Sequence, residues 1–201
     1  MPNTDADWFR SSGLKLDERG YVTVDGYGRT NLDGVWALGD ITPGHALAHR
    51  AFEQGITIAE KIAGADPKPV LDDTVPQVVF SFPEAAGVGL TLDQAKARED
   101  VVEPKETAYP MLSNARMLMS GEGGSMTVVS GAFANNPDMQ VVLGVHIVSP
   151  IASDLIAEAE QLVGNRVPLA DAARLIHPHP TFSETLGEAL LKADGRPLHT
   201  R

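Results

Sequence analysis

The sequence predicts an α+β fold: an antiparallel sheet followed by helices, preceded by a shorter segment of strand and helix. Three observations carry this. Four β-like stretches lie between residues 77 and 149, the last two joined by a hairpin-type loop. Helical periodicity then takes over at 151–163, 169–175 and 181–193 with no strand between. Ahead of both, the apolar run Val35 to Leu38 ends in Gly39-Asp40 and passes into a helical pattern, as in a βα unit.

In chain order, Tyr21 to Asp25 alternates apolar with polar residues and is expected to be a half-buried strand. Val35 to Leu38 does not alternate, so it is expected to lie buried on both faces, as in a parallel sheet. From His45 to Ala63, the residues Leu47, Ala51, Ile56, Ala59 and Ile62 share one helical face, and Gly64 marks the end. The tract from Gly64 to Pro76 is rich in Pro and Asp and has no period. It reads as a linker, with the boundary near residue 70, giving domains 1–70 and 71–201.

In the second domain, strands are expected at 77–82, 101–109, 125–134 and 140–149. A short helix opens at Thr91, where Gln94 completes a capping-box spacing. Asn135-Asn136-Pro137-Asp138 is the hairpin-type loop. Gly87-Val88-Gly89 and Gly121-Glu122-Gly123-Gly124 do not satisfy Gly-x-Gly-x-x-Gly and are read as turns. No repeat or low-complexity run is present.

Composition narrows the partners. At 201 residues and 43% hydrophobic content the chain can bury an ordinary core. With 27 acidic against 16 basic residues, and a formal charge of -11, it is repelled by nucleic acid and by anionic membranes. No stretch approaches the roughly 20 apolar residues of a membrane helix. The absence of cysteine excludes disulfides, thiolate metal sites and any thiol nucleophile from this chain. The start lacks a signal-peptide pattern and runs at once into Trp8, Phe9 and Leu14, so it is expected to be a cut in a longer protein.

Two tracts can carry chemistry. In Ile176-His177-Pro178-His179-Pro180-Thr181-Phe182-Ser183-Glu184, each histidine precedes a proline, which holds it out of helical conformation. One reading makes Thr181 and Glu184 a capping box. Another pairs His179 with Glu184, the carboxylate fixing the tautomer of a general base and stabilising its imidazolium. A metal reading of His177 and His179 with a carboxylate is not adopted. The second tract is Gly34 to Asp40 with the helix after it. An Asp at the carboxyl end of a buried strand sits where open α/β sheets bind ligands, and it can also serve simply as a turn residue. The amides opening the following helix are suited to an anion or carbonyl oxygen.

Together, about 140 residues apart, these tracts resemble the C-terminal part of the flavin-dependent pyridine nucleotide-disulfide oxidoreductase family, most of all its dihydrolipoamide dehydrogenase branch. Pro2-Asn3-Thr4-Asp5, Asp17 to Asp25, Arg29-Thr30-Asn31 and Gly34 to Asp40 resemble the end of the NAD domain and the second FAD motif. Ala46-Leu47-Ala48-His49-Arg50-Ala51 resembles the family's Met-Leu-Ala-His-Lys-Ala. Asn114-Ala115-Arg116 and Leu143 to His146 resemble the dimerisation domain, and His177 to Glu184 its active-site signature.

The resemblance implies the closing part of an FAD-binding domain over 1–70 and a dimerisation domain over 71–201. Gly39 and Asp40 would meet the FAD ribitol, and Ala46, Leu47 and Ala48 the flavin's pyrimidine edge. His179 would be the acid/base for the dithiol and Glu184 its orienting partner, serving the other subunit of a homodimer. FAD and NAD are the implied cofactors, dihydrolipoamide the implied substrate, a 2-oxo acid dehydrogenase complex a possible assembly, and the cytoplasm the implied location. A glutathione- or mycothione-type reductase shares the His-Pro and Glu pattern. The redox cysteine pair and both Gly-x-Gly-x-x-Gly motifs would lie upstream of Met1. The chain is therefore expected to span roughly the last two fifths of such an enzyme, to be inactive alone, and to expose apolar surface around Val35 to Leu38. Pro178 and Ala46 depart from the usual pattern, the first stiffening the loop and the second trimming a flavin contact.

Overall fold

In the computed structural model, which describes residues 2–200, the chain divides between Val75 and Pro76. That is a little beyond the boundary read near residue 70. Asp72 accounts for the difference: its Oδ1 accepts from Arg50 Nε at 2.7 Å, and it opens the 3-10 turn Asp72–Thr74. The Pro- and Asp-rich tract is thereby bound into the first unit.

The first unit begins with α1 (Asp7–Arg10), a single turn that the sequence reading missed. The expected strands at Tyr21 to Asp25 and Val35 to Leu38 are not strands. Only single antiparallel bridges form, Leu16 with Val22 and Arg29 with Trp36. The cause is local. Asp17 Oδ1 accepts from the amides of Arg19 and Tyr21, and Asp25 Oδ1 from those of Tyr27 and Arg29, so Asp-capped turns at 17–21 and 25–29 bracket the first run and leave little extended chain for either run to pair with. Nor is the Val35 to Leu38 run buried on both faces: Ala37 joins Phe9 and Val22 in a small core, while Val35 and Leu38 are 37% and 38% exposed. α2 (Ala48–Ile62) is the one long helix here. Its Ile56 and Ile62 are exposed, so the apolar face read from the sequence is only partly covered.

The second unit is built on a five-stranded antiparallel sheet in the order β1-β2-β5-β4-β3. Its strands are β1 (Gln77–Val79), β2 (Glu84–Gly89), β3 (Val101–Pro110), β4 (Ser125–Phe133) and β5 (Asn136–Ser149). β2 contains Gly87-Val88-Gly89, for which the sequence predicts a turn. Those glycines mark close approach instead: a Cβ on Gly87 would stand 2.7 Å from the His146 ring, and one on Gly89, at φ +80°, 2.2 Å from the Leu143 carbonyl. The hairpin turn is tighter than expected. Phe133 pairs with Asn136, so Ala134 and Asn135 turn the chain and Pro137 already lies in β5.

Helix α3 (Leu92–Ala97) opens with the capping box expected of Thr91 and Gln94. After β3 comes the short α4 (Ala115–Ser120), closed by Gly121 in the left-handed conformation. Then follow α5 (Ala152–Gly164), α6 (Leu169–Ala172) and α7 (Glu184–Ala193). The main core joins Met126, Val128, Val145 and Ile147 of the sheet to Leu155, Ile156 and Ala159 of α5 and Leu186, Ala189 and Leu190 of α7. A smaller core around Ala95, Val101, Val129 and Leu143 involves α3. Leu143 is the extra residue of a β-bulge between the Gly144 and Val142 pairings, and its carbonyl takes the Leu90 amide at 2.9 Å. α7, packed on β3 and β4, is the rigid element that carries Glu184.

Candidate active site

Pro178 and Pro180 keep His177 and His179 out of helical backbone, and the chain runs irregularly from Leu175 to Ser183, with His179-Pro180 cis. The two imidazoles diverge. His177 is 9% exposed, its Nε2 2.8 Å from Glu158 Oε1 on α5. His179 is 69% exposed, its Nδ1 2.9 Å from Glu184 Oε1, whose own side chain is only 20% exposed. Sequence reasoning brought His179 and Glu184 together; it had no signal for Glu158, nineteen residues upstream on another helix.

Glu184 also performs half of the capping box, its Oε2 accepting the Thr181 N–H at 2.8 Å. The other half is absent. Thr181 Oγ1 instead donates to the Pro178 carbonyl at 2.6 Å and lies 2.9 Å from Ser183 Oγ. The helix consequently starts at Glu184 rather than Thr181, with Ser183 at its cap and no side-chain cap bond.

Electrostatics set the proton positions. Burial pushes the Glu184 carboxyl up, but the Thr181 amide, the His179 hydrogen bond and the charges of the two histidines outweigh it and hold it below the usual 4.5. An ionised carboxylate can only accept, so Nδ1 of a neutral His179 carries the hydrogen and Nε2 is left as acceptor. For His177 the hydrogen bond to Glu158 dominates over burial and raises the imidazole above 6.5. A buried imidazole held by Glu158 therefore braces one end of the loop, and an exposed one is presented at its tip.

Two further groups flank the pair. Glu188, one turn along α7, accepts from His199 Nδ1 at 2.7 Å and from the His199 amide at 3.2 Å. Tyr109 is fully buried, its hydroxyl has no hydrogen-bond partner among the described residues, and burial, with the charges of Glu188 and Glu184, pushes the phenol up to about 12. No motif or spacing points to Tyr109. Among the described residues no cluster of three or more His, Asp or Glu is placed to hold a metal.

In the first unit, Gly39 opens the 3-10 turn Gly39–Ile41 at φ +72°. Its amide donates to Gln54 Oε1 of α2 at 2.9 Å, and a Cβ there would lie 3.4 Å from Ala51. The turn is thus seated on α2, with Asp40 exposed beside it. Leu47 is the cap of α2, with no side-chain cap bond, and Ala46 and Ala48 on either side are exposed and small. An exposed carboxylate and a helix start flanked by small residues form a donor and acceptor set that fits a hydroxylated, carbonyl-bearing cofactor.

The family model for the pyridine nucleotide-disulphide oxidoreductase dimerisation domain matches residues 75–190, and a second model, described as pyridine nucleotide-disulphide oxidoreductase, matches residues 1–55. The chain belongs to the pyridine nucleotide-disulfide oxidoreductase family. Dihydrolipoyl dehydrogenase of Cupriavidus necator is 40% identical over 201 residues, 99% of this chain and 40% of that protein. That of Thermus scotoductus is 36% identical over 199 residues, 98% of this chain and 41% of its own. The chain thus spans about two fifths of the length of these relatives. Among solved structures, LpdA of Mycobacterium tuberculosis superposes with a TM-score of 0.84 at 30% identity, over 96% of this chain and 41% of that one. The HOCl-induced flavoprotein disulfide reductase RclA of Escherichia coli, at TM-score 0.79 and 22% identity over 94% of this chain and 42% of that one, shares the fold.

Proposed function

We propose that this chain supplies the acid/base pair and the subunit interface of an FAD-dependent, NAD-linked dihydrolipoamide dehydrogenase. The observation that carries the reading is the His179 and Glu184 pair, an exposed imidazole whose tautomer is set by a partly buried carboxylate. Only a thiolate attacks a disulfide, and near neutral pH free thiols are mostly protonated. His179 Nε2 takes the proton of a dihydrolipoamide thiol, and Glu184 stabilises the resulting imidazolium. The chain contributes the base and, having no cysteine, none of the sulfur. Gly39, Asp40 and the α2 start at Ala46, Leu47 and Ala48 are the residues that would hold FAD. When bound, FAD would supply the two-electron redox chemistry that links dithiol oxidation to a nicotinamide.

The experiment is a chimera in which this chain replaces the matching C-terminal part of the Cupriavidus necator enzyme. NAD reduction by dihydrolipoamide that disappears in His179→Gln is the expected result. A folded, FAD-loaded chimera that is inert, that prefers glutathione or mycothiol disulfide, or that is indifferent to His179→Gln overturns the reading. The match to a dimerisation domain favours a companion proposal, that this chain associates as a homodimer through its second unit. Sedimentation of the 201-residue chain at micromolar concentration tests it, and a monomer refutes it.

A further inference from the structure

Asn114 lies between β3 and α4, is 5% exposed, and uses both ends of its amide. Oδ1 accepts from the amides of Arg116 at 2.9 Å and Met117 at 3.0 Å, capping α4. Nδ2 donates to the Thr181 carbonyl at 3.1 Å, sixty-seven residues further along the chain. Beside this bond the Arg116 guanidinium sits 5.4 Å from the Phe182 ring, so the same helical turn touches the histidine loop twice. A carboxamide is the side chain that can accept and donate at once from one planar group.

We propose that Asn114 is a positioning residue for His179, a role that rests on reading His179 as the base. Thr181 is held from both sides: Asn114 grips its carbonyl, and its amide grips Glu184 Oε2. Glu184 Oε1 in turn accepts from His179 Nδ1. The chain of contacts runs from Asn114 through the Thr181 backbone and Glu184 to the imidazole. The loop's own contacts cannot substitute, because the Thr181 hydroxyl is turned to Pro178 and Ser183. The Glu158 brace acts on His177, at the other end of the tract.

Capping and positioning are separable. Aspartate and serine are as good as asparagine at a helix cap, but an ionised aspartate has no hydrogen to give and places a charge beside the Thr181 carbonyl. The test is Asn114→Asp, with Asn114→Ser as a second variant should the buried charge prevent folding. Histidine nitrogen spectra of the 201-residue chain, at a pH where the rings are neutral, report the His179 tautomer directly. Wild type is expected to hold one tautomer, Nδ1–H, and the variant a mixture, with unchanged helix content. In the chimera, kcat/KM for dihydrolipoamide falls about ten- to hundredfold, as for misplacement of a catalytic group. NADH oxidation by a quinone dye, which involves no thiol, stays at its wild-type rate. A variant that loses thermal stability but keeps a single tautomer is a cap alone and overturns the proposal. If instead the tautomer is released while His179→Gln leaves dithiol oxidation intact, the positioning stands and the base assignment falls.

Discussion

Glu184 holds His179 Nδ1 with one carboxylate oxygen, at 2.9 Å, and the Thr181 amide with the other, at 2.8 Å. Reading the residue as a helix cap and reading it as a catalytic orienter are therefore not rivals. The backbone bond fixes the carboxylate, and the fixed carboxylate decides which imidazole nitrogen is free.

Glu184→Gln separates these two duties. A glutamine oxygen still accepts from the Thr181 amide, but its NH2 then faces His179 Nδ1 and forces the hydrogen onto Nε2, the atom proposed to accept the thiol proton. In the chimera, dithiol oxidation falls about 100-fold or more, comparable to losing a general base, while the chain stays folded at neutral pH. The stability profile changes as well. Glu184 is held below 4.5, so its ionic contribution is present above that pH and is lost as pH falls through the lower folded value. Melting curves between pH 5 and about pH 3 therefore flatten in the variant. A wild-type rate with Gln at this position contradicts the assignment.

His177 works in the opposite direction. Its imidazole is raised above 6.5 by Glu158, so the charged bond to α5 is fully present below 6.5 and weakens as pH rises through the folded value. The stability difference between wild type and Glu158→Gln is expected to be largest in mildly acidic buffer and to shrink above neutrality, leaving only the neutral hydrogen bond. Thermal melts at several pH values check this, and a difference that grows with pH refutes it.

The second unit is legible because its signals are local: strand-length runs rich in β-branched and apolar residues in β4 and β5, helical period in α5 and α7, and a capping box at Thr91. The errors arose where a local signal has two meanings. Gly87 and Gly89 looked like a turn but are places where His146 and Leu143 press on a strand. Tyr21 to Asp25 alternates like a strand, yet the side chains of Asp17 and Asp25 take the backbone amides into turns. His179 and Glu184, five residues apart, could be paired from sequence. Glu158, Asn114 and Tyr109 reach the same region through folding alone, and no spacing announces them.

Tyr109 predicts a substitution that improves the protein. Its hydroxyl is buried, has no partner among the described residues, and is close enough to Glu184 and Glu188 to feel both charges. A buried polar group without a partner costs about 1–3 kcal/mol, against a small cavity when one oxygen is removed. Tyr109→Phe is expected to be neutral or to stabilise by about 1 kcal/mol, a rise of a few degrees in Tm. Denaturant unfolding measures it, and a loss larger than 1 kcal/mol means that the hydroxyl has a partner in solution.

Gly187 in α7 sets two magnitudes against each other. Alanine in a helix interior is worth about 1 kcal/mol over glycine. Here, however, a Cβ would stand 2.6 Å from His177 Nδ1 and 2.9 Å from Cε1, and that ring is 9% exposed and tied to Glu158. It cannot swing away without breaking the bond, and overpacking of this kind costs about 1–3 kcal/mol. Gly187→Ala alone is thus expected to destabilise, despite the better helix former. With His177→Ala already in place the ring is gone, and the same change should stabilise by about 1 kcal/mol. The sign reversal in a double-mutant cycle is the test: if Gly187→Ala has the same sign in both backgrounds, the His177 ring does not occupy that space.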